Sequence, residues 1–473
     1  MRKTKIICTL GPACDDEKML KNMIKNGLDC ARLNFSHGTH EQQKVRIDRV
    51  KKVREELGIP LPLLLDTKGP EIRVRLFKDG KVELKEGQEF KFCSDFDMIG
   101  DNSKVGLTYP DLAKYVNKPG IRILADDGKV EFEVLRIEGK DIVTKVLNNA
   151  SLSDRKSINI PNVIVDMPYI SEVDRSDIIF GIQECVDYIA ASFVRRKEDV
   201  LAVRELLDKY DTSGKIRIIS KIENTEGIEK MDEIIEVSDG IMVARGDMGV
   251  EVPFKMLPKI QKELINKCYK KGKIVVTATQ MLDSMQSNPR PTRAEVSDVA
   301  NAIYDRTTAI MLSGESAAGK YPLQAVTAMK DIAEYTESSI NFKHSYWEAN
   351  LDLGEDFLSS ICNAAVSCAY QMDAKAIICV TNHGQTAFKL SAYHPHCPII
   401  ALTVNEKACR QLNLAWNVYP VYAEKKNSVD ELFQYAIKKA LETGIVKKGD
   451  RVIITGASDT FNAITDTIKV HIL

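Results

Sequence analysis

Short apolar runs alternate with amphipathic segments along most of the chain. The clearest unit spans residues 216–252, where the runs IRIIS and GIMVA flank a segment of helical periodicity. The apolar positions of that segment recur at helix-face spacing: Ile228, Met231, Ile234 and Ile235. A strand–helix–strand unit of this kind predicts two neighbouring parallel strands joined by a right-handed crossover.

Both strands of this unit end in charged residues. Lys221 and Glu223 close the first, and Arg245 and Asp247 close the second. Because ligands bind at the carboxyl ends of parallel strands, we expect these side chains to meet at one place. Two carboxylates suit Mg²⁺, and a neighbouring lysine suits a transferring phosphoryl group. The alternative interpretation is a pair of ordinary salt bridges at strand ends.

The same alternation predicts an α/β fold with eight strands in its main domain. The predicted strands fall within residues 4–11, 30–38, 62–68, 186–193, 216–223, 240–247, 273–280 and 307–316. The predicted helices lie between and after them: 41–57, 174–184, 198–209, 226–236, 256–271, 292–304 and 325–340. Eight strand–helix repeats are typical of a (β/α)8 barrel, here interrupted after its third strand.

The interruption has a different periodicity. From about Glu71 to Pro168, two-residue alternation replaces helical spacing, with hairpin signals such as Asp127-Gly128. The segment predicts an all-β domain inserted into the loop after the third barrel strand. We expect it to hinge near Pro70 and Pro168 and to close over the barrel as a lid.

A turn-rich stretch at residues 341–355 predicts a junction to a C-terminal α/β domain. Its strands are predicted at 374–380, 398–404, 418–423 and 450–456, with a last strand from residue 466 that is parallel or antiparallel to the others. The predicted domains are residues 1–69 with 170–340 for the barrel, 70–169 for the β lid and 341–473 for the C-terminal sheet domain.

Polar residues at the barrel strand ends should share one rim. They are Arg32, Asn34, Ser36, Asp66, Thr67, Ser192, Lys221, Glu223, Arg245, Asp247, Thr279 and Glu315. Three of them, Arg32, Asn34 and Ser36, alternate along one strand and therefore face the same side. A guanidinium beside an amide and a hydroxyl can hold a phosphate or a carboxylate.

Composition narrows the function classes. The 473 residues carry a formal net charge of −1, which argues against a nucleic-acid or membrane-surface binder. The chain has neither a run of 18 apolar residues nor a signal-peptide pattern at its N-terminus. Its 11 cysteines include no CxxC pair, which predicts free thiols. The histidines show no metal-ligand spacing, and His394 and His396 are predicted to lie in a surface loop. A cytoplasmic enzyme fits these features.

Two other motifs concern phosphate. GESAAGKY at 314–321 has Tyr321 where a phosphate loop of the form GxxxxGKS or GxxxxGKT needs a hydroxyl, and it follows the eighth strand, so we do not predict a phosphate loop there. VTNHGQT at 380–386 lies between a strand and a helix. Its backbone N–H groups with Thr381 and Thr386 predict either an anion site or a plain glycine-containing turn.

Several long segments resemble the pyruvate kinase family. They are RLNFSHG (32–38), DTKGPEIR (66–73), SKIENTEG (220–227), DGIMVARGDMGVEVP (239–253), TATQMLDSMQSNPRPTRAEVSDVANAI (277–303) and LSGESAAGKYP (312–322). The resemblance implies a barrel, an inserted β lid and a C-terminal regulatory domain in a homotetramer. It also implies transfer of the phosphoryl group of phosphoenolpyruvate to ADP, giving pyruvate and ATP in the last step of glycolysis.

The resemblance implies roles for individual residues. Catalysis and substrate contact would fall to Lys221, Arg32, Gly246, Asp247 and Thr279. Mg²⁺ or Mn²⁺ would bind Glu223 and Asp247. K⁺ would bind Asn34, Ser36, Asp66 and Thr67, and Glu71 matches the version of the motif that accompanies K⁺ dependence. Nucleotide phosphates would meet Arg73, Lys156 and the segment Asn34, Phe35, Ser36 and His37.

The chain departs from the family pattern in three places. Ser157 and Asn162 replace glycines where the lid rejoins the barrel, so the hinge should be stiffer. The C-terminal segment 455–470 is shorter than the family's sugar-phosphate loop, and His383 stands where a serine is common. A phosphorylated small-molecule effector in the C-terminal domain remains an expected partner, but these differences argue against activation by a sugar bisphosphate.

The residues alone leave two other function classes open. One is a barrel lyase or aldolase that uses Lys221 as a Schiff-base nucleophile, which a metal ligand at Glu223 disfavours. The other is a binding or scaffold protein that keeps the fold without its chemistry, which the complete set of polar strand ends disfavours.

Overall fold

Eight parallel strands close into a barrel in the computed structural model, which describes residues 1–211, 215–349, 351–426, 428–457 and 465–473. In chain order they are β1 Lys5–Thr9, β2 Cys30–Asn34, β3 Leu63–Asp66, β4 Tyr188–Ala191, β5 Arg217–Ile222, β6 Gly240–Ala244, β7 Ile274–Ala278 and β8 Ala309–Leu312. Each strand pairs with the next along the chain, and β8 pairs with β1. The predicted (β/α)8 barrel is therefore confirmed.

Alternation along each strand divides the barrel core into two layers. Ile7, Leu64 and Ile219 belong to a cluster of inward-facing side chains, whereas Ile6 and Ile218 pack with the surrounding helices. Since both faces of each strand are buried, nearly all of the strand residues are apolar. These continuous apolar runs are the pattern that predicted the strands from the sequence.

Helices surround the barrel. They are Glu17–Lys25, His40–Leu57, Glu172–Gln183, Lys197–Tyr210, Thr225–Glu229, Met231–Val237, Arg245–Glu251, Leu257–Lys270, Arg293–Tyr304, Gly314–Ala317 and Pro322–Ser338. Several begin with a side-chain cap, as at Thr39 and Thr292, whose hydroxyls accept the N–H of the residue three positions on. Short 3₁₀ turns occur at Pro12–Cys14, Phe254–Met256 and Asp283–Gln286.

The inserted segment is an all-β unit with one 3₁₀ turn, Leu112–Lys114. Across its larger sheet the strands run Ile72–Arg73, Ser157–Asn159, Arg122–Ala125, Val130–Glu138, Asp141–Val146, Glu89–Cys93 and Lys104–Gly106. Lys81–Leu84 pairs separately with Ala150–Ser153. Phe90, Phe92 and Phe132 pack against one another in its core in edge-to-face and tilted geometries, with ring centroids 4.9–5.5 Å apart.

The C-terminal domain is a sheet with helices on its faces. Across the sheet the strands run Val418–Tyr422, Ile399–Thr403, Ala376–Val380, Arg451–Gly456 and Thr467–Ile472, the last one antiparallel. Its helices are Phe357–Met372, Gln385–Ala392, Glu406–Leu412 and Val429–Glu442. Residues 458–464, within the segment compared with the family's sugar-phosphate loop, lie outside the described residues.

The C-terminal domain covers the amino-terminal end of the barrel. Leu414 joins the inward-facing barrel cluster, and the Tyr188 hydroxyl donates to the Gln411 carbonyl oxygen at 2.6 Å. The Arg410 guanidinium lies 2.8 Å from the buried carboxylate of Asp187. This end of the barrel is therefore closed by protein, and the carboxyl-terminal end carries the rim.

The structure differs from the sequence-based expectations in several elements. β6 ends at Ala244, so residues 245–247 belong to a short helix and not to the strand. The helix expected at 226–236 is two helices that meet at Lys230, and the expected turn-rich junction contains the helix Phe342–Glu348. The domain bounds of the three parts stay predictions.

His394 is a further correction, because it is buried and not in a surface loop. The residue is 8% exposed, and its ring stacks on Trp416 with centroids 3.9 Å apart, between the barrel and the C-terminal sheet. Burial, with a smaller effect of Arg306, lowers the pKa of His394 to about 3.

No helix of the described residues is long and apolar enough to cross a membrane.

Lowering the pH should destabilise the protein through His394. The folded state keeps the imidazole neutral, whereas the unfolded chain takes up a proton near pH 6.5, so this contribution is complete above pH 6.5 and is lost as the pH falls toward 3. At about pH 5 the loss is about 2 kcal/mol. We expect His394→Phe, which keeps a ring against Trp416, to weaken the pH dependence of unfolding by that amount.

Urea unfolding midpoints at neutral and mildly acidic pH measure the effect. The exposed His344, replaced by Phe, is the matched control and should follow the parent protein. Parallel pH profiles for the parent protein and His394→Phe would contradict this account.

Candidate active site

Lys221 lies at the centre of the polar rim. It is the fifth residue of β5, and its buried ammonium donates to Asp66 Oδ1 at 3.0 Å and to Ser192 Oγ at 2.8 Å. Its nitrogen is also 3.1 Å from Glu223 Oε1. One ammonium thus joins the carboxyl ends of β3, β4 and β5.

The alternation of β5 explains this placement. Ile218 and Ile222 pack outward against the helices, whereas Ile219 faces the barrel interior. Lys221 and Glu223 continue the series of Ile219 at two-residue spacing and therefore reach the mouth of the barrel.

Arg32 approaches the same carboxylate from β2. Its Nε is 2.6 Å from Asp66 Oδ2, and its terminal nitrogen donates to the Thr9 hydroxyl at 2.7 Å. Burial would raise the pKa of Asp66, but Arg32 and Lys221 together lower it. Asp66 is therefore a carboxylate that holds two cations in place.

Glu223 and Asp247 form a pair of neighbouring acids. Glu223 is 1% exposed, and its Oε2 accepts the Phe193 N–H at 2.7 Å. Burial raises the pKa of Glu223 to about 7, since the attraction of Lys221 is opposed by the adjacent Asp247. Burial also raises the pKa of Asp247. A bound cation would relieve the repulsion between these two acids.

The donor set fits Mg²⁺. The described residues contain no group of three His, Cys, Asp or Glu side chains arranged to hold a metal. Mg²⁺ does not need such a group, because one or two carboxylates suffice when waters and substrate oxygens complete the octahedron. Glu223 and Asp247 supply two hard oxygen ligands of this kind.

Gly246 and Thr279 are in close contact. A Cβ on Gly246 would lie 2.9 Å from Thr279 Cγ2, so a side chain there would displace the threonine. Thr279 has a φ of 72° and Gln280 a φ of 55°, both in the left-handed region. The end of β7 is thus held in a strained turn, as is common at ligand sites.

Two predicted rim residues do not reach the acids. Arg245 turns away to donate to the Thr279 carbonyl oxygen at 2.6 Å and to pair with Asp298 at 2.7 Å. The Glu315 carboxylate accepts the backbone N–H groups of Leu282 and Ser313. Both residues brace loops of the rim, so the expectation that they join the polar set is corrected.

Oxygen-bearing residues lie side by side at the ends of β2 and β3 and just after them. Asn34 is paired with Asp66 in the sheet register, and Asn34 Oδ1 accepts the Ser36 N–H at 3.0 Å. The Thr67 hydroxyl accepts the Ser192 N–H at 3.1 Å. Asn34, Ser36, Asp66 and Thr67 therefore offer neutral and anionic oxygens to a monovalent cation.

Sequence reasoning left two supporting residues without a role. Ser192 accepts from Lys221 and donates to the Thr67 carbonyl oxygen at 2.6 Å, so it helps to fix the lysine. Gln43 donates to the carbonyl oxygens of Asn34 and His37, both at 2.9 Å, and so fixes the 34–37 turn. Only the strand-end position of Ser192 was visible in the sequence.

Arg73 lies on the first lid strand, and Lys156 immediately precedes the lid strand that pairs with it. Arg73 pairs with Glu71 at 2.7 Å and donates to the Arg155 carbonyl oxygen at 2.6 Å. Lys156 pairs with Asp126 at 2.8 Å. Lys156 is therefore held within the lid, whereas Arg73 is held by the lid residue Arg155 and by Glu71, which precedes the first lid strand.

The lid touches the helix that carries Asp247. The Asn159 amide donates to Glu251 Oε1 at 3.0 Å, and a Cβ on Gly128 would lie 3.8 Å from Val250. Beside the mouth, a cavity of about 690 Å³ is lined by Arg32, Asn34 and His37. A cavity of this size accommodates a small-molecule ligand.

Comparison with known proteins gives one consistent result. Residues 1–326 match the family model described as pyruvate kinase, barrel domain, and residues 359–471 match pyruvate kinase, alpha/beta domain. A protein named pyruvate kinase from Clostridium acetobutylicum is 47% identical over 474 residues, which is all of both chains. Proteins of the same name from Staphylococcus haemolyticus and Bacillus licheniformis are 48% and 46% identical over all of this chain and 81% of theirs.

Removing the charge of Asp66 should destabilise the fold. Asp66→Asn would leave the buried cations of Arg32 and Lys221 without their shared carboxylate, which is expected to cost about 3 kcal/mol. Chemical denaturation measures the change.

The control is Asp48→Asn, which removes an exposed carboxylate 3.1 Å from Lys44 and should change stability by less than about 1 kcal/mol. Equal effects of the two substitutions would show that the Asp66 ion pairs do not stabilise the barrel mouth.

Proposed function

The chain belongs to the pyruvate kinase family and is a phosphotransferase, and we propose that it transfers the phosphoryl group of phosphoenolpyruvate to ADP, giving pyruvate and ATP. Its ions are Mg²⁺ or Mn²⁺ and K⁺, and the reaction is the last step of glycolysis in the cytoplasm. The observation that carries this proposal is the Lys221 ammonium, held between Asp66 and Ser192 beside the adjacent acids Glu223 and Asp247.

The electrostatics of Lys221 support its role in phosphoryl transfer. Burial would lower its pKa, but the carboxylates of Asp66 and Glu223 outweigh that effect and raise it. The side chain therefore remains an ammonium when the anionic substrate arrives. A fixed positive charge stabilises the negative charge on the equatorial oxygens of the transferring group.

Arg32 is the second fixed cation for the phosphoryl group. Its guanidinium is held by Asp66 and Thr9 at the end of β2, so little reorganisation is needed when the substrate binds. Gly246 and Thr279 contact the remainder of phosphoenolpyruvate, and the absence of a side chain at 246 leaves room for that approach.

Glu223 and Asp247 would hold Mg²⁺ or Mn²⁺. When bound, the metal neutralises charge on the phosphate oxygens. The chain's own contribution is to keep the buried Glu223 carboxyl and the partly buried Asp247 carboxyl together, so that they would bind the ion strongly. Because burial raises the pKa of Glu223 to about 7, metal binding should weaken as the pH falls toward 7 and below.

K⁺ would bind Asn34, Ser36, Asp66 and Thr67 next to Arg32. A monovalent cation there adds positive charge near the phosphoryl group without competing for the Mg²⁺ ligands. Glu71 favours K⁺ dependence, because an acid at this position brings no cation of its own.

ADP would bind between the barrel and the lid. Its phosphates would attract Arg73 and Lys156, which at present pair with Glu71 and Asp126, together with the 34–37 segment that contains Phe35 and His37. Closure of the lid would exclude water, which otherwise competes with ADP for the phosphoryl group.

The protonation of Lys221 argues against a Schiff-base mechanism. A nucleophilic lysine must be neutral, and its pKa is usually lowered by an apolar or cationic site. The two acids at 3.0 Å and 3.1 Å from Lys221 have the opposite effect. A homotetramer and a phosphorylated effector in the C-terminal domain belong to the proposal through the family resemblance alone.

Replacing Lys221 by Met should abolish turnover. The charge of Lys221 acts mainly on the transition state, so we expect kcat to fall by about 1000-fold or more while phosphoenolpyruvate binding changes little. Pyruvate release in a coupled assay, with and without K⁺, measures the reaction, and fluorescence titration measures substrate binding.

Lys267→Met is the matched control, since Lys267 pairs with the exposed Asp232 at 2.7 Å on an outer helix. It should retain full activity and the same requirement for K⁺. Comparable turnover in Lys221→Met would refute the role of Lys221, and absence of pyruvate release by the parent protein would refute the proposed reaction.

A further inference from the structure

Both connections between the barrel and the lid meet one short segment, residues 192–195, which follows β4. Where the chain enters the lid, Gly69 packs closely on this segment. A Cβ on Gly69 would lie 2.8 Å from the Ser192 carbonyl oxygen and 3.1 Å from the Phe193 ring. Where the chain returns, residues 165–169 contact the same segment, and we refer to them as the lid exit.

Arg195 holds the lid exit by its backbone. The two terminal nitrogens of Arg195 donate to the carbonyl oxygens of Val165 and Met167, at 3.0 Å and 2.9 Å. The guanidinium also makes two hydrogen bonds of 3.2 Å to Asp199, and both of these charged side chains are buried. Because one rigid planar group binds two carbonyls and a carboxylate, it fixes the path of the chain as it leaves the lid.

The other side of the lid exit is bound to the lid itself. Val165 and Met167 pack against the lid core, and the Tyr115 hydroxyl donates to the Asp166 carbonyl oxygen at 3.2 Å. The Asp166 side chain also pairs with Arg196 at 2.9 Å, but it is 75% exposed, so this pair contributes little free energy. The buried guanidinium of Arg195 is therefore the main polar attachment of the lid exit to the barrel.

The segment that carries Arg195 also holds the groups at the barrel mouth. Ser192 accepts from Lys221 at 2.8 Å, and the Phe193 N–H donates to Glu223 at 2.7 Å. Phe193 has a φ of 53°, a strained conformation that its surroundings must maintain. The Tyr169 hydroxyl of the lid exit donates to the Ser192 carbonyl oxygen at 2.8 Å. Four successive residues thus contact the lysine, the metal-binding acid and the lid.

We propose that Arg195 is a positioning residue for phosphoryl transfer. By holding the carbonyls of Val165 and Met167, it fixes the lid relative to Lys221 and Glu223. The phosphates of ADP, bound between lid and barrel, are then aligned with the transferring group, and water is excluded. This inference rests on the proposed function, because it concerns the same site.

Arg195→Lys tests the proposal, since a lysine keeps a positive charge beside Asp199 but cannot bind two carbonyls as a planar group. We expect KM for ADP to rise about tenfold and KM for phosphoenolpyruvate to change by less than about twofold. Pyruvate release should also exceed ATP formation, because a displaced lid admits water, which takes the phosphoryl group to give inorganic phosphate. Pyruvate, ATP and phosphate are measured in the same reaction.

Arg204→Lys is the matched control. Arg204 lies on the same helix as Asp199, donates to the Ile216 carbonyl oxygen at 2.8 Å and pairs with Asp239 at 2.7 Å, before the start of β5. The substitution removes the same planar group from a carbonyl and a carboxylate, but at the other end of the barrel. It should leave KM for ADP and the ratio of pyruvate to ATP unchanged.

Tyr169→Phe is a milder second variant. It keeps the ring, which lies 6.0 Å from the Arg195 guanidinium, and removes only the hydrogen bond to Ser192. We expect the same pattern at smaller size, with KM for ADP raised about threefold. If Arg195→Lys does not fold, this variant decides the question, and an unchanged KM for ADP in Tyr169→Phe would then overturn the proposal.

Hydrogen exchange of the ligand-free full chain gives a result that does not require turnover. In Arg195→Lys we expect faster exchange in peptides that cover residues 160–170 and 192–195, and exchange as in the parent protein across the outer barrel helices. Unchanged exchange in those two peptides would overturn the proposal, because the lid exit would then not depend on Arg195.

Two kinetic outcomes would also overturn it. One is an unchanged KM for ADP and an unchanged ratio of pyruvate to ATP in Arg195→Lys, which would make the contact purely structural even if exchange became faster. The other is an equal effect of Arg204→Lys. Absence of pyruvate release by the parent protein would instead refute the proposed reaction, and hydrogen exchange would still report whether Arg195 holds the lid exit.

Discussion

The barrel mouth depends on the contacts that the Lys221 ammonium makes with three strand ends. It joins Asp66 at the end of β3, Ser192 after β4 and Glu223 after β5. Buried charges are unfavourable unless each is compensated, so these strand ends must stay in register for the charges to remain paired. Two cations, Lys221 and Arg32, face the acids Asp66, Glu223 and Asp247, which leaves negative charge for a metal ion to neutralise.

The barrel could be predicted because its strands are buried on both faces. Runs such as IRIIS and GIMVA have no polar face, and the charged residues after them follow from the direction of parallel strands. The proximity of Lys221, Glu223 and Asp247 was therefore visible from spacing alone. The short polar strands of the lid, such as Ser157–Asn159, gave too weak an alternation to be found.

Other features depend on contacts between residues distant in sequence. Arg245 follows an apolar run as Lys221 does. However, β6 ends at Ala244 and a helix begins at Arg245, which turns the Arg245 side chain toward Asp298. His394 is buried because Trp416 stacks on it. The strand-end position of Ser192 was visible in the sequence, but its contacts with Lys221 and Asp66 were not. Such side-chain directions are set by packing, which periodicity does not report.

The two ends of the barrel are connected through its strands. Arg217 begins β5 beside Phe388 of the C-terminal domain, and the same strand carries Lys221 at the mouth. The C-terminal domain closes the amino-terminal end of the barrel with Leu414 and with the Tyr188–Gln411 hydrogen bond. The C-terminal domain therefore packs on the strands whose other ends carry Lys221 and lead to Asp247 and Thr279.

The most direct measurement of the central claim is the location of bound Mn²⁺ by anomalous X-ray scattering from crystals of the protein grown with that ion. The account predicts a single strong peak between the carboxylates of Glu223 and Asp247, with the Lys221 ammonium beside it. A peak elsewhere, or crystals in which these three side chains point to different parts of the surface, would contradict the account.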